Sequence, residues 1–232
     1  MFEAALITGA NRGLGLEFAK CLQGRAKTVF AGYRSPERSK ALLALAEQQS
    51  SVVPVVLDVE DDTSIAQAYD TIATAVDSLD LLINNAGISI HFDNSFHQFT
   101  REEMVRNFDV NVAGPHMLVR TFLPLLRKSG RARVANISSG MGSIEQAGQS
   151  SMSYRVSKAA LNMLSKIQAE GLRGDRIIVV SISPGWMRTD MGGRSAPLDP
   201  ADSAEKIIDL VERLTPDDSG RFVDREGKGL SY

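Results

Sequence analysis

Tyr154 and Lys158 are the residues of this chain whose types and spacing most directly indicate chemistry. They lie in the segment SMSYRVSKAALNM (151–163), whose pattern predicts a helix, and positions i and i+4 share one helix face. A tyrosine with a pKa of about 10 is a poor acid or base near neutrality. A neighbouring ammonium group favours the phenolate and lowers that pKa. The pair is therefore a candidate for proton transfer.

The free energy that such a shift requires shows that the pair cannot act alone. Moving a pKa from about 10 to neutrality requires roughly 4 kcal/mol, whereas a solvated ion pair contributes less than about 1 kcal/mol. The site would have to be partly dry and would need a second positive charge, such as that of an oxidised nicotinamide. Taken in isolation, a tyrosine and a lysine at this spacing are more often surface residues of a helix.

The alternation of apolar and helical segments predicts the fold that would position the pair. Strands are predicted at 5–8, 28–32, 52–59, 80–87, 133–139, 176–185 and 220–224. Helices are predicted at 14–23, 36–49, 62–76, 100–127, 153–172 and 200–214. Apolar strands that alternate with helices are typical of a parallel sheet covered on both faces. We predict one α/β domain over 1–232, a Rossmann-like doubly wound sheet of about seven strands.

Two prolines qualify this prediction. Pro54 is expected at the start of the third strand or outside its ladder, because proline donates no ladder hydrogen bond. Gly114-Pro115 is expected to break the long helix, since proline also removes an intrahelical bond.

The composition is that of an ordinary soluble globular protein of 232 residues, with 43% apolar and 23% charged residues. A net charge of −2 disfavours a nucleic-acid binder. Cys21 is the only cysteine, so a Cys-ligated zinc site is excluded, and His91, His97 and His116 lack the spacing of metal ligands. Glu3 interrupts the N-terminus too early for a signal peptide, and no apolar run is long enough to span a membrane. We expect a cytoplasmic protein with no metal, membrane or nucleic-acid partner.

A glycine-rich turn follows the first predicted strand. Gly9, Gly13 and Gly15 lie in TGANRGLG (8–15), where glycines permit a tight turn and a close approach of a pyrophosphate to the backbone. The helix that follows would direct its N-terminus at the anion. No Gly-Lys-Ser/Thr sequence follows, so the turn is not a P-loop. The alternative is an ordinary strand–helix turn without a ligand.

The end of the second predicted strand favours NADP over NAD. NAD-binding proteins place an acidic residue there to hold the ribose 2′-hydroxyl, but this strand ends in Tyr33-Arg34. An arginine can instead pair with a 2′-phosphate, and Arg12 in the glycine turn could reach the same group. The alternative is that Arg34 and Arg38 are solvated loop charges.

These segments together resemble the short-chain dehydrogenase/reductase family over essentially the whole chain, nearest to its carbonyl-reductase and C-factor-like branch. The matching segments are TGANRGLG (8–15), Asp58, NNAG (84–87), Asn111 in DVNVAG, NISS (136–139), YRVSK (154–158) and PGWMRTD (184–190). Their order along the predicted elements makes the resemblance specific.

The resemblance implies four catalytic roles. Tyr154 corresponds to the acid/base, and Lys158 to its electrostatic partner and a ligand of the nicotinamide ribose. Ser139 corresponds to the group that polarises the carbonyl; it is preferred to Ser138 because the family's serine is usually the second of this pair. Asn111 corresponds to the residue that orients Lys158 through a water molecule.

The resemblance also implies the binding residues and the function. The predicted cofactor ligands are Gly9, Asn11, Arg12, Gly13, Leu14, Gly15, Arg34, Asp58, Val59, Asn85, Ala86, Gly87, Tyr154, Lys158, Pro184, Gly185 and Thr189. Met141, Trp186 and Met191 are predicted to line the substrate pocket, although they could equally belong to the core. The segment 188–199 is interpreted as a substrate lid, with an ordinary surface loop as the alternative.

The predicted function is NADP-dependent hydride transfer between the nicotinamide and a small or medium-sized carbonyl or alcohol. A C-factor-like dinucleotide-binding signalling or sensor protein is the alternative, although a pure sensor would not need Ser139, Tyr154 and Lys158 together. The family's pairing of the Asn111-bearing and Tyr154-bearing helices implies a homodimer or homotetramer.

Overall fold

Seven parallel strands form one sheet in the computed structural model, which describes residues 1–90 and 99–232. The strands are β1 (Phe2–Ile7), β2 (Ala26–Tyr33), β3 (Val52–Val56), β4 (Leu81–Asn84), β5 (Arg133–Ile137), β6 (Ile178–Ser183) and β7 (Phe222–Asp224). The helices include α1 (Gly13–Cys21), α2 (Lys40–Gln48), α3 (Asp62–Ala75), α4 (Arg101–Phe108), α5 (Gly114–Ser129), α6 (Met152–Gly171) and α7 (Pro200–Arg213). The predicted single-domain, doubly wound α/β fold is confirmed. His91 and His97 lie outside the described residues.

The strand order creates a switch point in the middle of the sheet. The order is β3-β2-β1-β4-β5-β6-β7, so the first three strands extend the sheet in one direction and the last four extend it in the other. Doubly wound sheets bind ligands outside the carboxyl ends of the strands at such a point. β4 and β6 end earlier than predicted, at Asn84 and Ser183, and the residues that follow form turns at this edge.

Apolar side chains cover both faces of the sheet. On one face, residues of α1 and α7 such as Phe18, Ile207 and Val211 pack against the strands. On the other face, residues of α3 and α5 such as Ile72 and Phe122 do the same. Burial of these side chains provides the main stabilisation of the fold. Among the described helices, none is both long and apolar enough to cross a bilayer.

The prediction for Pro54 is wrong in one respect. Pro54 lies in the middle of β3 and pairs with Ala31 of β2. The ladder tolerates it because β3 is the edge strand of the sheet, where one side of the strand needs no hydrogen-bond donor.

The predicted break at Gly114-Pro115 is a π-helical segment. α4 and α5 are joined without a loop by Asp109–Ala113, which has π geometry, and Pro115 lies in the first turn of α5. Proline removes one hydrogen bond from this continuous helix, and it does so beside the wider π turn, in which Gly114 N donates to Asp109 O. π-helical turns inside α-helices are frequent at functional sites, and this one contains Asn111.

Candidate active site

A cleft of about 910 Å³ lies at the carboxyl ends of the strands. The turns after β1 to β6 border it, as expected for the switch point. Every residue predicted to bind cofactor or substrate lines this cleft, and so do the predicted catalytic residues Ser139, Tyr154 and Lys158. Asn111 is the exception, because it lies behind the wall.

Lys158 and Tyr154 share the face of α6 that points into this cleft. Both are buried, and the Lys158 Nζ atom lies 5.6 Å from the centre of the Tyr154 ring. Lys158 Nζ donates a hydrogen bond to the backbone oxygen of Ile137 at 2.8 Å. Burial disfavours the ammonium and lowers the pKa of Lys158 to about 8.

The environment of Tyr154 works against ionisation. Burial raises the pKa of Tyr154 to about 12, while a hydrogen bond with the Ser139 side chain acts in the opposite direction. Without a cofactor, therefore, the phenol stays protonated near neutrality. This agrees with the free-energy argument from the sequence, which required a second positive charge in addition to Lys158.

Ser139 and Ser138 have different surroundings. Ser138 is buried, and its Oγ donates to Asn162 Oδ1 at 2.6 Å. Ser139 lines the cleft beside Tyr154, and its Oγ accepts a hydrogen bond from Met141 N at 3.1 Å. Both serines line the cleft, but the Ser138 hydroxyl is bonded to Asn162, whereas that of Ser139 is bonded to Tyr154. The choice of Ser139 as the residue that polarises the carbonyl stays a prediction.

The turn after β5 fits tightly against α6. A Cβ atom on Gly142 would lie 2.8 Å from the backbone carbon of Lys158, so only glycine permits this approach. Asn162, one helical turn beyond Lys158, donates from Nδ2 to Gly142 O at 3.3 Å. These contacts fix the turn that carries Ser139 relative to the helix that carries Tyr154.

Asn111 connects the π segment to the cleft wall. Its Nδ2 donates to Ile88 O and to Ser157 Oγ, and its Oδ1 accepts from Ile88 N, each at 2.9 Å. A Cβ atom on Gly87 would lie 3.2 Å from Asn111 Oδ1 and 3.6 Å from Lys158 Nζ. The two side chains therefore approach the same small space beneath Gly87.

A second hydrogen bond to α6 was not predicted from the sequence. Together with the bond from Asn111 to Ser157, it forms a ladder of two asparagine–serine contacts. Asn107 Nδ2 donates to Ser153 Oγ at 3.1 Å, one helical turn before the contact between Asn111 and Ser157. Asn107 and Asn111 are four residues apart on α4 and its π extension, and Ser153 and Ser157 are four residues apart on α6. That double repeat is the sequence signal that could have indicated a polar helix–helix contact.

The glycine turn presents an open helix end to the cleft. Arg12 precedes α1 without any side-chain cap on the first turn, so backbone N–H groups there remain available to an anion. Gly13 has a φ of +53°, and a Cβ atom on Gly15 would lie 2.2 Å from Gly9 O. Asn85 Nδ2 fixes the turn by donating to Thr8 O and Gly9 O.

Comparison with known proteins identifies the family. A family model described as short chain dehydrogenase matches residues 3–198. This chain belongs to the short-chain dehydrogenase family. The short-chain dehydrogenase anuI of Penicillium roqueforti is 35% identical over 243 residues, covering 98% of this chain and 96% of that protein.

Two further relatives place this dehydrogenase near the carbonyl-reductase and C-factor branch. The NADPH-bound carbonyl reductase from chicken fatty liver is 36% identical, with a TM-score of 0.94 and coverage of 100% of this chain and 99% of that one. The C-signal protein of Myxococcus xanthus is 38% identical over 155 residues, covering 66% of this chain and 93% of that protein.

Arginines occupy one end of the dehydrogenase cleft. Arg34 pairs with Glu60 at 3.1 Å and lies 3.9 Å from Asp58. Arg38 lines the same end, and Asn11 Nδ2 donates to its backbone oxygen at 3.0 Å. Arg12 forms an ion pair with Asp190 from the segment 188–199.

The opposite end of the dehydrogenase cleft is apolar and partly open. Trp186 and Met191 are 53% and 42% exposed, so they are cleft walls rather than core residues. Trp186 Nε1 donates to Gly192 O at 2.7 Å, which fixes the indole. Sequence reasoning missed Gln146, which no motif marks, and Arg155, which lies inside YRVSK (154–158) but was given no role there.

Proposed function

We propose that this dehydrogenase is an NADP-dependent oxidoreductase. It transfers hydride between the nicotinamide and a small or medium-sized carbonyl or alcohol, with Tyr154 as acid and base. The observation that carries the proposal is the hydrogen bond between Ser139 and Tyr154 beside the buried Lys158. These three groups lie in the same cleft as the uncapped glycine turn.

The cleft fits a dinucleotide. Gly13 faces Thr189 across the cleft, and the Thr189 side chain is the nearest neighbour that a Cβ atom on Gly13 would meet. A side chain on Gly13 would therefore fill the space between them. The glycine turn would hold the pyrophosphate, Asp58 and Val59 the adenine, and Asn85–Gly87 with Pro184–Gly185 the nicotinamide half.

The nicotinamide supplies or accepts the hydride when it is bound. In the reducing direction Tyr154 donates its phenolic proton to the substrate oxygen, and in the oxidising direction it takes this proton back. Ser139 stabilises the negative charge that develops on that oxygen. Met141 N donates to Ser139 Oγ, and the Ser139 side chain is hydrogen-bonded to Tyr154, so a substrate oxygen placed between the two side chains would take over the hydroxyl proton of Ser139.

Lys158 stabilises the phenolate that remains after the proton has left. Its Nζ atom uses one N–H to bind Ile137 O, which leaves the others for the ribose and for a water molecule held near Asn111. Asn111 is a positioning residue in this proposal, because it acts through Lys158. The ladder from Asn107 and Asn111 to α6 supports the placement of both Tyr154 and Lys158.

The arginines support NADP as the preferred cofactor. Arg12, Arg34 and Arg38 all line the end of the cleft that follows β2, where an NAD-binding protein would place an acidic residue. A 2′-phosphate there would compete with Glu60 and Asp190 for these guanidinium groups. Arginine suits this role because its planar fork binds phosphate through two parallel hydrogen bonds.

Replacing Arg34 with glutamine should weaken NADPH binding by about 10- to 100-fold, because one charge-assisted hydrogen bond to the phosphate is lost. NADH binding should change by less than about threefold. Fluorescence titration of both cofactors measures the difference. Arg106→Gln is the matched control, since Arg106 also pairs with Glu60 but does not line the cleft. Equal losses for NADPH and NADH would contradict the assignment.

The segment 188–199 is proposed to be a substrate lid. Its base is closed by hydrogen bonds from Arg188 N to Leu198 O and from Leu198 N to Trp186 O. Gly185 and Gly193 adopt positive φ values of +84° and +75°, which suits them to act as pivots. The ion pair between Arg12 and Asp190 links this segment to the glycine turn, and a 2′-phosphate that took Arg12 would release that link.

The test of this function is a titration with NADPH and NADH, followed by turnover against a panel of aldehydes and ketones. NADPH binding with turnover supports the reductase. The similarity to C-signal supports a second candidate, a dinucleotide-binding signalling protein, and tight binding without turnover on any substrate would favour it. Stronger binding of NADH would overturn the cofactor assignment.

Pairing of two copies through α4 and α6 is proposed as the assembly. Apolar side chains at Val105 on α4 and at Met163 and Ile167 on α6 are 62%, 60% and 62% exposed. Phe108 and Val156 extend this apolar face. A self-complementary apolar patch of this kind is typical of a two-fold dimer.

The double variant Met163→Glu/Ile167→Glu should be a monomer, because two carboxylates would be buried without partners in the interface. Sedimentation velocity measures the change in mass. Val56→Glu is the matched control, as Val56 is 55% exposed on the edge strand β3. A dimer that persists in the double variant, or a monomeric native protein, would refute this interface.

A further inference from the structure

Arg155 is a cation at the substrate end of the cleft. It follows Tyr154 on α6, and it lines the cleft together with Met141, Gln146 and Trp186. Its Nε donates to Ser150 O at 2.9 Å, and one terminal nitrogen donates to Gln146 O at 3.2 Å. A Cβ atom on Gly148 would lie 2.7 Å from the other terminal nitrogen, so glycine leaves room for the guanidinium there.

The hydrogen bonds of Arg155 leave its charge uncompensated. Within residues 1–90 and 99–232, its hydrogen-bond partners are these two neutral carbonyl oxygens, and no carboxylate pairs with it. A guanidinium has five N–H donors, so most of them remain available. A charged group beside an apolar wall favours an anionic partner over water when the site closes.

The other cations that line the cleft either have a partner already or lie at its far end. Arg12 pairs with Asp190, and Arg188 pairs with Asp199. Lys158 is buried against Ile137 O. Arg34 and Arg38 lie at the far end, after β2. Arg155 is thus the cation of the described residues that remains for a substrate group near Tyr154.

We propose that Arg155 binds an anionic group of the substrate, so that the preferred substrates are carbonyl compounds that also carry a carboxylate. This inference rests on the proposed function, because it places the carbonyl at Tyr154 and Ser139. The apolar body of the substrate would contact Met141, Trp186 and Met191. The carboxylate would receive two parallel hydrogen bonds from the guanidinium.

A purely structural role for Arg155 predicts something different. Arginine at this position also holds the loop 146–150 against α6 through its two carbonyl contacts. Loss of that role would weaken the binding of charged and neutral ligands alike. Loss of a charge partner would weaken only the charged ones, so matched acids and esters separate the two roles.

The test uses the isomers of carboxybenzaldehyde and their methyl esters. Trp186 is the single tryptophan of the chain and lines the cleft, so its fluorescence reports binding without turnover. We expect the native protein to bind at least one acid about 10- to 100-fold more tightly than its ester. Arg155→Gln should abolish this preference, and Arg155→Lys should retain part of it.

Arg173→Gln is the matched control, because Arg173 is an exposed arginine beyond the opposite end of α6 and its loss should leave the acid-to-ester ratio unchanged. Equal binding of acids and esters by the native protein would overturn the proposal. So would an equal weakening of both by Arg155→Gln. Acid preference without turnover in NADPH would instead contradict the proposed function while leaving the anion site intact.

Discussion

Replacing Tyr154 with phenylalanine should lower kcat for carbonyl reduction by about 10²- to 10⁴-fold, the range that a positioned general acid contributes. The ring remains in place, so packing against α6 and the cleft wall is kept. The phenol is the proton donor of the proposed site, and it stays protonated at neutral pH because burial raises the pKa of Tyr154 to about 12. Its removal leaves the substrate oxygen without a proton donor, although the hydrogen bond from Ser139 remains.

NADPH binding separates this effect from a loss of structure. We expect the Kd for NADPH to change by less than about threefold, as one neutral hydrogen bond contributes little net free energy. Tyr69→Phe is the control for the substitution itself, because Tyr69 packs against Phe122 in the apolar core and does not line the cleft. Full turnover by the Tyr154→Phe variant would refute the proposed mechanism.

Replacing Lys158 with methionine should have the second largest effect, a fall in kcat of about 10²- to 10³-fold. Methionine keeps a long apolar stem in the buried site but removes the charge that would stabilise the phenolate. Because the phenolate is then less stable, Tyr154 becomes a poorer acid in the reducing direction. The loss of acidity is tested by measuring turnover with saturating NADPH between pH 6 and 11, at intervals of about half a pH unit.

The same variant gives a prediction about stability and pH. The pKa of Lys158 is about 8 in the folded protein instead of its usual 10.5, because burial disfavours the ammonium. Below about 8 the folded protein therefore carries the full cost of the buried charge. Between about 8 and 10.5 the unfolded chain binds the extra proton, so the stability contributed by this residue rises with pH.

Methionine has no titrating group, so a pH-dependent difference in stability between the native protein and this variant comes from Lys158. Relative to Lys158→Met, the native protein should gain thermal stability as the pH increases from about 8 to 10.5. Paired melting curves across this range measure the difference. A constant difference in Tm would show that Lys158 is not buried as a titrating group. The loss of the hydrogen bond to Ile137 O affects all pH values equally and does not change the trend.

The sequence predicted the parts of the site that depend on local patterns. The glycine turn, the shared helix face of Tyr154 and Lys158, and the turns after the strands all follow from spacing of a few residues. Apolar periodicity likewise predicted the parallel sheet, because buried strands and amphipathic helices differ in their periods. Arg34 at the end of β2 followed from its position after a predicted strand.

Contacts between distant segments could not be predicted in this way. The ladder from Asn107 to Ser153 joins residues that are 46 positions apart, and its partners are chosen by the packing of α4 on α6. The π segment was also missed, since Gly114-Pro115 indicates a break without specifying its form. Arg155 escaped notice because its role depends on the loop 146–150, which follows no repeating pattern.

The π segment also affects how this chain can vary in length. Asp109–Ala113 contributes one residue more than an uninterrupted α-helix from Arg101 to Ser129 would hold. Because the wide turn absorbs this extra residue, α4 and α5 keep nearly the register of one continuous α-helix. Deleting one residue there should therefore restore regular helix geometry and leave Asn107 opposite Ser153. Proteins usually absorb insertions and deletions in surface loops, but this helix can absorb one internally.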